Sequence, residues 1–343
     1  MTETPIRIVV AGVPRSYQRP HPDGRWLTAA HETQIRAVSP RLQLIHTSRR
    51  AILAGQVPIP GADVLMVESC GRGEYGEELP LAAFAPLVTP RLRWLQTCSS
   101  GVGHVLELGI VPPQVVMTNA AGIHAAALAE STLAAILLHA KQLVTRFDDQ
   151  RERRWRELQC IELRGKTVCV IGTGHIGKAI AARASAFGLR VVGVRRHPQP
   201  VAGFDAVYGH DALHRALATA EFVVVACPLT AETDGMIDAG ALAAMRPGAY
   251  LVNIARGRIL RDGPVLDALR SGHLGGAFLD AFAPEPLPRD HPYWDAPNVT
   301  VTPHDSHSSE FIGDNMVDLF TANLRRWLEG APLANVIDRA RGY

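Results

Sequence analysis

The sequence predicts an α/β protein with two doubly wound parallel-sheet domains, and three observations lead to this prediction. The chain has 343 residues, which is too long for one compact core and about right for two domains. Short apolar segments alternate with helical or loop segments in two separate series along the chain. A glycine-rich turn at residues 172–177 follows the first apolar segment of the second series.

The apolar segments have the length and spacing of strands joined by helical crossovers. The first series comprises residues 6–11, 42–46, 64–67 and 94–97, and the second comprises 167–171, 190–194, 222–226, 250–253, 277–279 and 299–302. Between them we expect one long helix over about 125–147. Apolar residues cover nearly all its faces, so it should be buried, either within a domain or at a subunit interface. A last helix is expected over about 309–329.

Composition excludes several classes of protein. The net charge is only +2 and the basic residues are spread along the chain, which argues against a nucleic-acid partner. The five cysteines form no C-x-x-C pair, so we expect neither a disulfide scaffold nor a metal site. The longest apolar stretch, 125–140, contains Glu130 and His139 and is too short and polar to cross a bilayer. Without a leader-like N-terminus, the protein is expected to be cytoplasmic.

The glycine turn is the strongest local signal. Gly172, Gly174 and Gly177 follow an apolar run in the pattern G-x-G-x-x-G, with His175 and Ile176 inside it, and a helix-forming stretch comes next. This arrangement is typical of Rossmann-like domains, in which the glycines allow a tight turn, the approach of a pyrophosphate and close packing of the helix. A glycine turn without a ligand is the alternative. The agreement of strand, helix and following strand favours a dinucleotide site.

The residues after the next strand bear on the choice of dinucleotide. Sites selective for NAD carry an acidic residue about 20 positions after the motif, to bind the ribose 2′-hydroxyl. Here that place is taken by Arg195, with Arg196 beside it. Arginine pairs with a 2′-phosphate, so NADP(H) is predicted over NAD(H). Two exposed arginines with a relaxed cofactor preference remain the alternative.

Three charged residues follow later strands of the same series: Arg256, Glu285 and His304. The carboxyl ends of parallel strands line the ligand crevice, so these side chains should meet in one cleft. Hydride transfer to a 2-oxo acid needs a cation for the carboxylate and carbonyl, a proton donor, and a carboxylate to orient that donor. Arginine, histidine and glutamate meet these needs. Taken singly, each could be an ordinary ion pair, turn or loop residue.

These segments together resemble the D-isomer-specific 2-hydroxyacid dehydrogenase family over about residues 95–335. The matching segments are SSGV at 99–102, TNAAGI at 118–123, AE at 129–130, Trp155, the glycine loop, PLTAET at 228–233, NIARG at 253–257, DAFAPEP at 280–286 and TPH at 302–304.

The resemblance implies a nucleotide domain, residues 119–305, inserted into a discontinuous substrate domain, residues 1–118 and 306–343. It implies that Arg256, Glu285 and His304 are catalytic, and that the backbone amides of three residues hold the substrate carboxylate. It implies further cofactor contacts beyond the glycine loop and the two arginines. It also implies a homodimer formed through the 125–147 region. By this resemblance the substrate residues are Gly101, Val102, Gly103 and Arg256. The further cofactor residues are Cys227, Pro228, Thr233, Ile254 through its backbone carbonyl, and Asp280 through a bond to the nicotinamide amide.

The chain also departs from the family pattern. An acidic residue often stands where this chain has Gly103, and the small apolar residues usual after His304 are replaced by a polar run that includes His307. His307 is either a bystander or a substrate contact, and the segment 68–76 fits no subgroup. We therefore expect NADP(H)-linked, D-specific chemistry on a small 2-oxo or 2-hydroxy acid of the glyoxylate or hydroxypyruvate type. The alternatives are an NAD-dependent enzyme for a bulkier 2-hydroxy acid, a formate or phosphite oxidoreductase, or a non-catalytic dinucleotide sensor.

Overall fold

Each of the two strand series folds into a parallel sheet, as predicted. The computed structural model describes residues 4–11, 27–47, 61–67, 85–102, 105–106 and 109–341. Its chain divides into one unit of Met1–Ile123 with Ser309–Tyr343 and a second unit of His124–Ser308. The functional assignment of the predicted domains, with boundaries at 118/119 and 305/306, stays a prediction.

The first unit contains a five-stranded sheet in the order β2-β1-β3-β4-β5. One strand, β5, was not predicted, because it has only three residues and its first one is exposed. The last helix packs on this sheet, where Phe320 stacks on the buried Trp94 with ring centroids 5.1 Å apart. The elements are β1 (Ile6–Ala11), α1 (Ala29–Arg36), β2 (Leu42–Thr47), β3 (Val64–Val67), β4 (Trp94–Thr97), β5 (Val116–Thr118) and α8 (Ile312–Leu328).

The second unit contains a seven-stranded sheet in the order β12-β11-β10-β9-β6-β7-β8, with every pairing parallel. Six of its strands were predicted. The seventh, β8, is a half-buried edge strand of three residues, too short to give a strand pattern. The strands are β6 (Thr167–Ile171), β7 (Arg190–Val194), β8 (Ala206–Tyr208), β9 (Phe222–Val225), β10 (Ala249–Asn253), β11 (Leu274–Leu279) and β12 (Val299–Val301).

The central strands of this sheet are continuous apolar runs because both of their faces are covered. Every residue of β6 and β9 is buried. Two hydrophobic clusters, one on each face, hold the helices against the sheet. The helices of the second unit are α2 (Ala125–Ala140), α3 (Leu143–Arg151), α4 (His175–Ala186), α5 (Leu213–Leu217), α6 (Ala239–Ala244) and α7 (Asp262–Arg270).

The prediction of one continuous helix over 125–147 is wrong. The chain leaves α2 at Lys141, passes through a left-handed Gln142 with φ of 51°, and starts α3. Polar bonds to the returning chain stabilise the break: Lys141 Nζ donates to the Ile161 carbonyl at 2.8 Å, and Gln142 donates to the Gln159 carbonyl. None of the helices in the described residues is long and apolar enough to span a membrane.

Candidate active site

The strand order of the second unit locates its ligand crevice. The chain runs from β6 outward to β7 and β8 on one side, then crosses to β9 on the other side of β6 and continues to β10, so the order reverses beside β6. In open parallel sheets the crevice lies at such a reversal, outside the carboxyl ends of the strands. The catalytic and cofactor residues predicted for this unit lie at these strand ends, in the loops that follow them, or in the first turn of the helix after β6.

The glycine loop has the backbone geometry that its sequence predicts. Gly172 has a φ of +107°, and a Cβ there would come within 2.6 Å of the Ala226 carbonyl oxygen. A Cβ at Gly177 would collide with the Gly172 carbonyl, so only glycine lets α4 approach this closely. Gly174 is the N-cap of α4, and within the described residues no atom stands within 4 Å of where its Cβ would be. His175 is exposed in the first turn, and Ile176 packs against the apolar core.

The loop therefore fits a bound pyrophosphate. The first turn of α4 has no side-chain cap, so its N–H groups and positive dipole end face the open space beside Gly174. A nicotinamide dinucleotide places its pyrophosphate at such a helix N-terminus.

The two arginines after β7 differ in their contacts. Arg196 Nε donates to Glu232 Oε2 at 2.7 Å, which links the end of β7 to the loop after β9. Arg195 has its backbone N–H bonded to the Tyr208 carbonyl at 3.0 Å. Both arginine side chains are half-buried. Sequence reasoning missed Glu232 because it lies 36 positions from its partner.

The loop after β9 is shaped by one threonine. Thr233 Oγ1 donates to the Pro228 carbonyl at 2.7 Å and accepts from Thr230 N at 2.8 Å. Cys227 is buried, and burial raises the pKa of its thiol to about 12, so it remains protonated. The predicted cofactor contacts of Cys227, Pro228 and Thr233 stay a prediction, and the structure assigns Thr233 the further role of holding the turn.

The predicted catalytic residues come together. His304 Nδ1 lies 2.9 Å from both Oε1 and Oε2 of Glu285. A carboxylate only accepts hydrogen bonds, so Nδ1 carries the proton and Nε2 is left for substrate. The Phe282 N–H also donates to Glu285 Oε1, at 2.9 Å.

These contacts set the charge of Glu285. Burial alone would raise its pKa. The hydrogen bonds from His304 and Phe282, with the charges of His304 and Arg256, outweigh burial and hold the pKa below its usual value. Glu285 is therefore a carboxylate at neutral pH and can stabilise a protonated His304.

Arg256 follows β10 in a turn made by a buried asparagine. Asn253 accepts from the Ala255 N–H and donates to the Arg256 carbonyl, both at 3.1 Å. Arg256 Nη1 donates to the Ala255 carbonyl at 2.7 Å. Desolvation by the surrounding protein lowers the pKa of Arg256, and the charge of Glu285 only partly opposes this shift. An arginine nevertheless remains a cation at any physiological pH.

The turn after Arg256 lies against the loop that carries Glu285. A Cβ at Gly257 would come within 2.6 Å of the Ala283 amide nitrogen, so the glycine permits this close approach. Ile254 is buried at the start of the same turn, and its predicted carbonyl contact with the cofactor stays a prediction.

Asp280, at the end of β11, anchors the loop that carries His304. It is 1% exposed, and its Oδ1 accepts from Thr302 Oγ1 at 2.6 Å, from the Asp305 N–H at 3.1 Å and from the Ser306 N–H at 3.2 Å. These donors lie on both sides of His304, whose backbone is left-handed with a φ of 57°. The predicted bond from Asp280 to a nicotinamide amide stays a prediction, and sequence reasoning missed its anchoring role.

A second imidazole lies beside that of His304. The rings of His307 and His304 are perpendicular, with centroids 6.4 Å apart, and His307 also meets His124 edge to face at 5.1 Å. Burial, and then the charge of His307, lower the pKa of His124 to about 4, although a backbone hydrogen bond to His307 opposes this. His124 is therefore neutral at physiological pH. A contact of His307 with substrate stays a prediction.

The three residues whose backbone amides are predicted to hold the substrate carboxylate belong to the first unit. Gly101 donates its N–H to Ser99 Oγ at 3.1 Å, and Val102 is buried. Gly103 and the segment 68–76 lie outside the described residues. Within the described part of the chain, no three His, Cys, Asp or Glu side chains are arranged to hold a metal ion.

Comparison with known proteins agrees with this geometry. Residues 133–306 match the family described as "D-isomer specific 2-hydroxyacid dehydrogenase, NAD binding domain". The chain is 31% identical to a glyoxylate/hydroxypyruvate reductase A from Serratia proteamaculans, over 74% of this chain and 82% of that one. It is 35% identical to a D-3-phosphoglycerate dehydrogenase from Mycobacterium leprae, over 72% of this chain and 45% of that one.

A solved structure is similar over nearly the whole length. An NADPH-dependent glyoxylate/hydroxypyruvate reductase from Sinorhizobium meliloti, in complex with NADP and sulfate, superposes with a TM-score of 0.78 at 26% identity, covering 98% of this chain and all of that one. The family match spans the glycine loop and the Arg-Glu-His set whose geometry is described above. The chain therefore belongs to the D-isomer-specific 2-hydroxyacid dehydrogenase family and is a nicotinamide-dependent oxidoreductase.

Proposed function

We propose that this protein is an NADP(H)-dependent reductase of a small 2-oxo acid of the glyoxylate or hydroxypyruvate type, forming the D-2-hydroxy acid where the product is chiral. The observation that carries the proposal is the His304–Glu285 pair beside Arg256, in the unit that also carries the glycine loop. Such a pair gives a proton donor that is oriented and charge-stabilised.

The chain's own groups account for each part of the reaction except the hydride. When bound, the reduced nicotinamide supplies that hydride to the carbon of the substrate's 2-oxo group. Arg256 pairs with the carboxylate and polarises the carbonyl. His304 Nε2 gives its proton to the carbonyl oxygen as that oxygen becomes an alkoxide, and Glu285 stabilises the imidazolium until the proton leaves. One hydride and one proton together convert the 2-oxo acid to the 2-hydroxy acid.

Two features support the choice of cofactor and substrate size. Arg195 and Arg196 stand where a 2′-phosphate would be bound, and the Sinorhizobium meliloti structure is of an NADPH-dependent enzyme. The Serratia proteamaculans relative is named for glyoxylate and hydroxypyruvate. In this proposal residues 119–305 bind the dinucleotide, and the amides of Gly101, Val102 and Gly103 hold the substrate carboxylate.

We also propose that the protein is a homodimer. Val144 and Phe147 on α3 and Trp155 after it are exposed to 51%, 49% and 100%. Val144 and Phe147 are three positions apart and share one face of α3, and exposed apolar patches are typical of a protein interface. A second copy that buries them would use the end of the predicted 125–147 region, and sedimentation of the wild type against Trp155→Ala would detect it. A monomeric wild type would contradict the proposal.

The second candidate is an NAD-dependent dehydrogenase for a larger 2-hydroxy acid. Two observations favour it: the 35% identity to the Mycobacterium leprae phosphoglycerate dehydrogenase, and the engagement of Arg196 by Glu232. Because Arg196 already has an anionic partner, its presence alone does not guarantee strong binding of a 2′-phosphate.

The test is a matrix of cofactors and substrates. NADPH and NADH would each be mixed with glyoxylate, hydroxypyruvate, pyruvate, phenylpyruvate and 2-oxoisocaproate, and the loss of reduced-nicotinamide absorbance followed. We expect the fastest turnover with NADPH and glyoxylate or hydroxypyruvate. Preference for NADH and a bulky acid would favour the second candidate. Tight cofactor binding without turnover of any of these acids would contradict both.

A further inference from the structure

The adenosine end of the crevice contains a contact that neither the family match nor the catalytic residues explain. The loop after β7 and the loop after β9 are joined there by the ion pair between Arg196 and Glu232. His210 Nδ1 lies 3.9 Å from the same Glu232 oxygen. Within the described residues, Arg195 makes no ion pair. The two neighbouring arginines therefore differ: one has an anionic partner and the other does not.

The turn that carries Glu232 is held by hydrogen bonds within its own loop. The residues on both sides of it are tied back into a tight turn, with Thr233 N donating to the Thr230 carbonyl at 3.1 Å and Asp234 N donating to the same carbonyl at 2.9 Å. Thr233 Oγ1 closes the turn onto Pro228. The carboxylate is thus presented by an ordered turn, and the long Arg196 side chain reaches across to it.

The location gives this pair a consequence for cofactor choice. A strand end such as that of β7 is where the ribose 2′ substituent of a bound dinucleotide lies in folds of this kind. A 2′-phosphate is a dianion that arginine binds through two parallel hydrogen bonds, whereas a 2′-hydroxyl gains little from an arginine. A carboxylate paired with that arginine competes with the phosphate for it.

We propose that Glu232 is a specificity-determining residue that lowers the preference for NADP(H) by holding Arg196 in an ion pair. A 2′-phosphate then meets Arg195, which makes no ion pair within the described residues, and has to displace Glu232 to engage Arg196. The inference rests on the proposed function, since it requires that the crevice binds a nicotinamide dinucleotide. It predicts a protein that uses both cofactors and prefers NADPH only moderately.

The first experiment measures cofactor binding by the full-length chain carrying Glu232→Gln. Dissociation constants for NADPH and NADH would be measured from nucleotide fluorescence, and those for adenosine 2′,5′-bisphosphate and AMP by calorimetry. We expect NADPH and the bisphosphate to bind about five- to tenfold tighter than to the wild type, with NADH and AMP within about twofold. No tightening of NADPH, or equal tightening of all four, would overturn the proposal.

A second variant tests whether Glu232 acts through Arg196. In an Arg196→Gln background, Glu232→Gln should change NADPH binding by less than about twofold, because the partner that it releases is gone. If the full gain persists there, Glu232 repels the phosphate directly and the ion pair is not the cause. That result would overturn the proposed role of the pair.

The chain offers a matched control. Glu130 pairs with Arg183 Nη2 at 3.0 Å on the helices α2 and α4, with exposures of 67% and 35%, close to the 52% and 33% of Glu232 and Arg196. Glu130→Gln should leave all four dissociation constants unchanged. If the wild type binds neither NADPH nor NADH, the proposed function fails. A wild type that binds both, with no response to Glu232→Gln, removes only the specificity proposal.

Discussion

The two ends of the crevice in the second unit are built differently. At the catalytic end, a buried Asp280 accepts three hydrogen bonds from the His304 loop, and Glu285 contacts His304 through both oxygens. At the adenosine end, the main polar contact between loops is the partly exposed ion pair of Arg196 and Glu232. Buried charged hydrogen bonds contribute about 1.5–3 kcal/mol each, whereas exposed ion pairs contribute about 0–1 kcal/mol.

The difference shows where the protein requires fixed geometry. A proton donor misplaced by a fraction of an ångström loses much of its effect, so the loop that carries the proposed donor, His304, needs strong anchors. Cofactor preference is a difference between two affinities and can be adjusted by weak, exposed contacts. We therefore expect large losses from changes at the catalytic end and small, selective shifts at the adenosine end.

The largest effect should come from His304→Asn. Removing the proton donor should lower kcat by a factor on the order of 10² to 10⁴, with cofactor dissociation constants within about twofold of the wild type. Steady-state kinetics and fluorescence titration would measure both. His214→Asn, at an exposed position on α5, is the control and should leave kcat unchanged. A near-normal rate for His304→Asn would remove His304 from the mechanism.

The next effect is on stability and depends on pH. His124 titrates at about 4 in the folded protein and at its ordinary 6.5 when unfolded, so the unfolded state binds more protons between these values. Stability should therefore fall as the pH drops from 6.5 towards 4, by about 2–3 kcal/mol from this group alone. Urea unfolding at pH 7.5 and 4.5 would show a smaller loss in His124→Asn. Equal losses in both proteins would contradict the lowered pKa.

A smaller loss of activity should follow from Thr302→Val, which removes one anchor of the His304 loop. Without the hydroxyl, Asp280 keeps only its backbone donors on the other side of His304. We expect kcat to fall about tenfold with little change in cofactor binding, and Thr302→Ser to restore the rate, because it keeps the hydroxyl. A variant with reduced stability but normal kcat would show that the anchor has only a structural role.

The smallest effect should be at the adenosine end. Arg195→Asp replaces the arginine that has no ion pair in the described residues, and it should lower the NADPH/NADH preference in kcat/KM by about five- to tenfold. The value of kcat with saturating NADH should stay within about twofold of the wild type. An unchanged ratio would mean that Arg195 does not contact the 2′-phosphate.

Sequence reasoning located the strand ends and the groups they carry, because those signals are local. Gly172, Arg256 and His304 each follow an apolar strand, and parallel strands bring such positions to one edge of the sheet. The same reasoning missed contacts between distant segments. Glu232 and Arg196 are 36 positions apart, and Asp280 and Thr302 are 22 apart, and no pattern within either segment indicates the other.

Local backbone geometry also limited what could be predicted from the sequence. A left-handed Gln142 has no sequence signal, since glycine or asparagine would be expected there. The bonds that Lys141 and Gln142 make to residues 159–161 decide the break between α2 and α3, and they exist only once the chain has folded back. The short edge strand β8 was missed for a similar reason, because its pairing with β7 defines it more than its composition does.

If His304 is the proton donor, as proposed, its left-handed backbone means that proton transfer and folding stability make opposite demands on this position. Any side chain with a Cβ raises the energy of that conformation by about 1–2 kcal/mol relative to glycine. Glycine would fit the loop with less strain but could not donate a proton. In the proposed mechanism, the proton donor therefore lowers the stability of its own loop relative to a glycine at the same position.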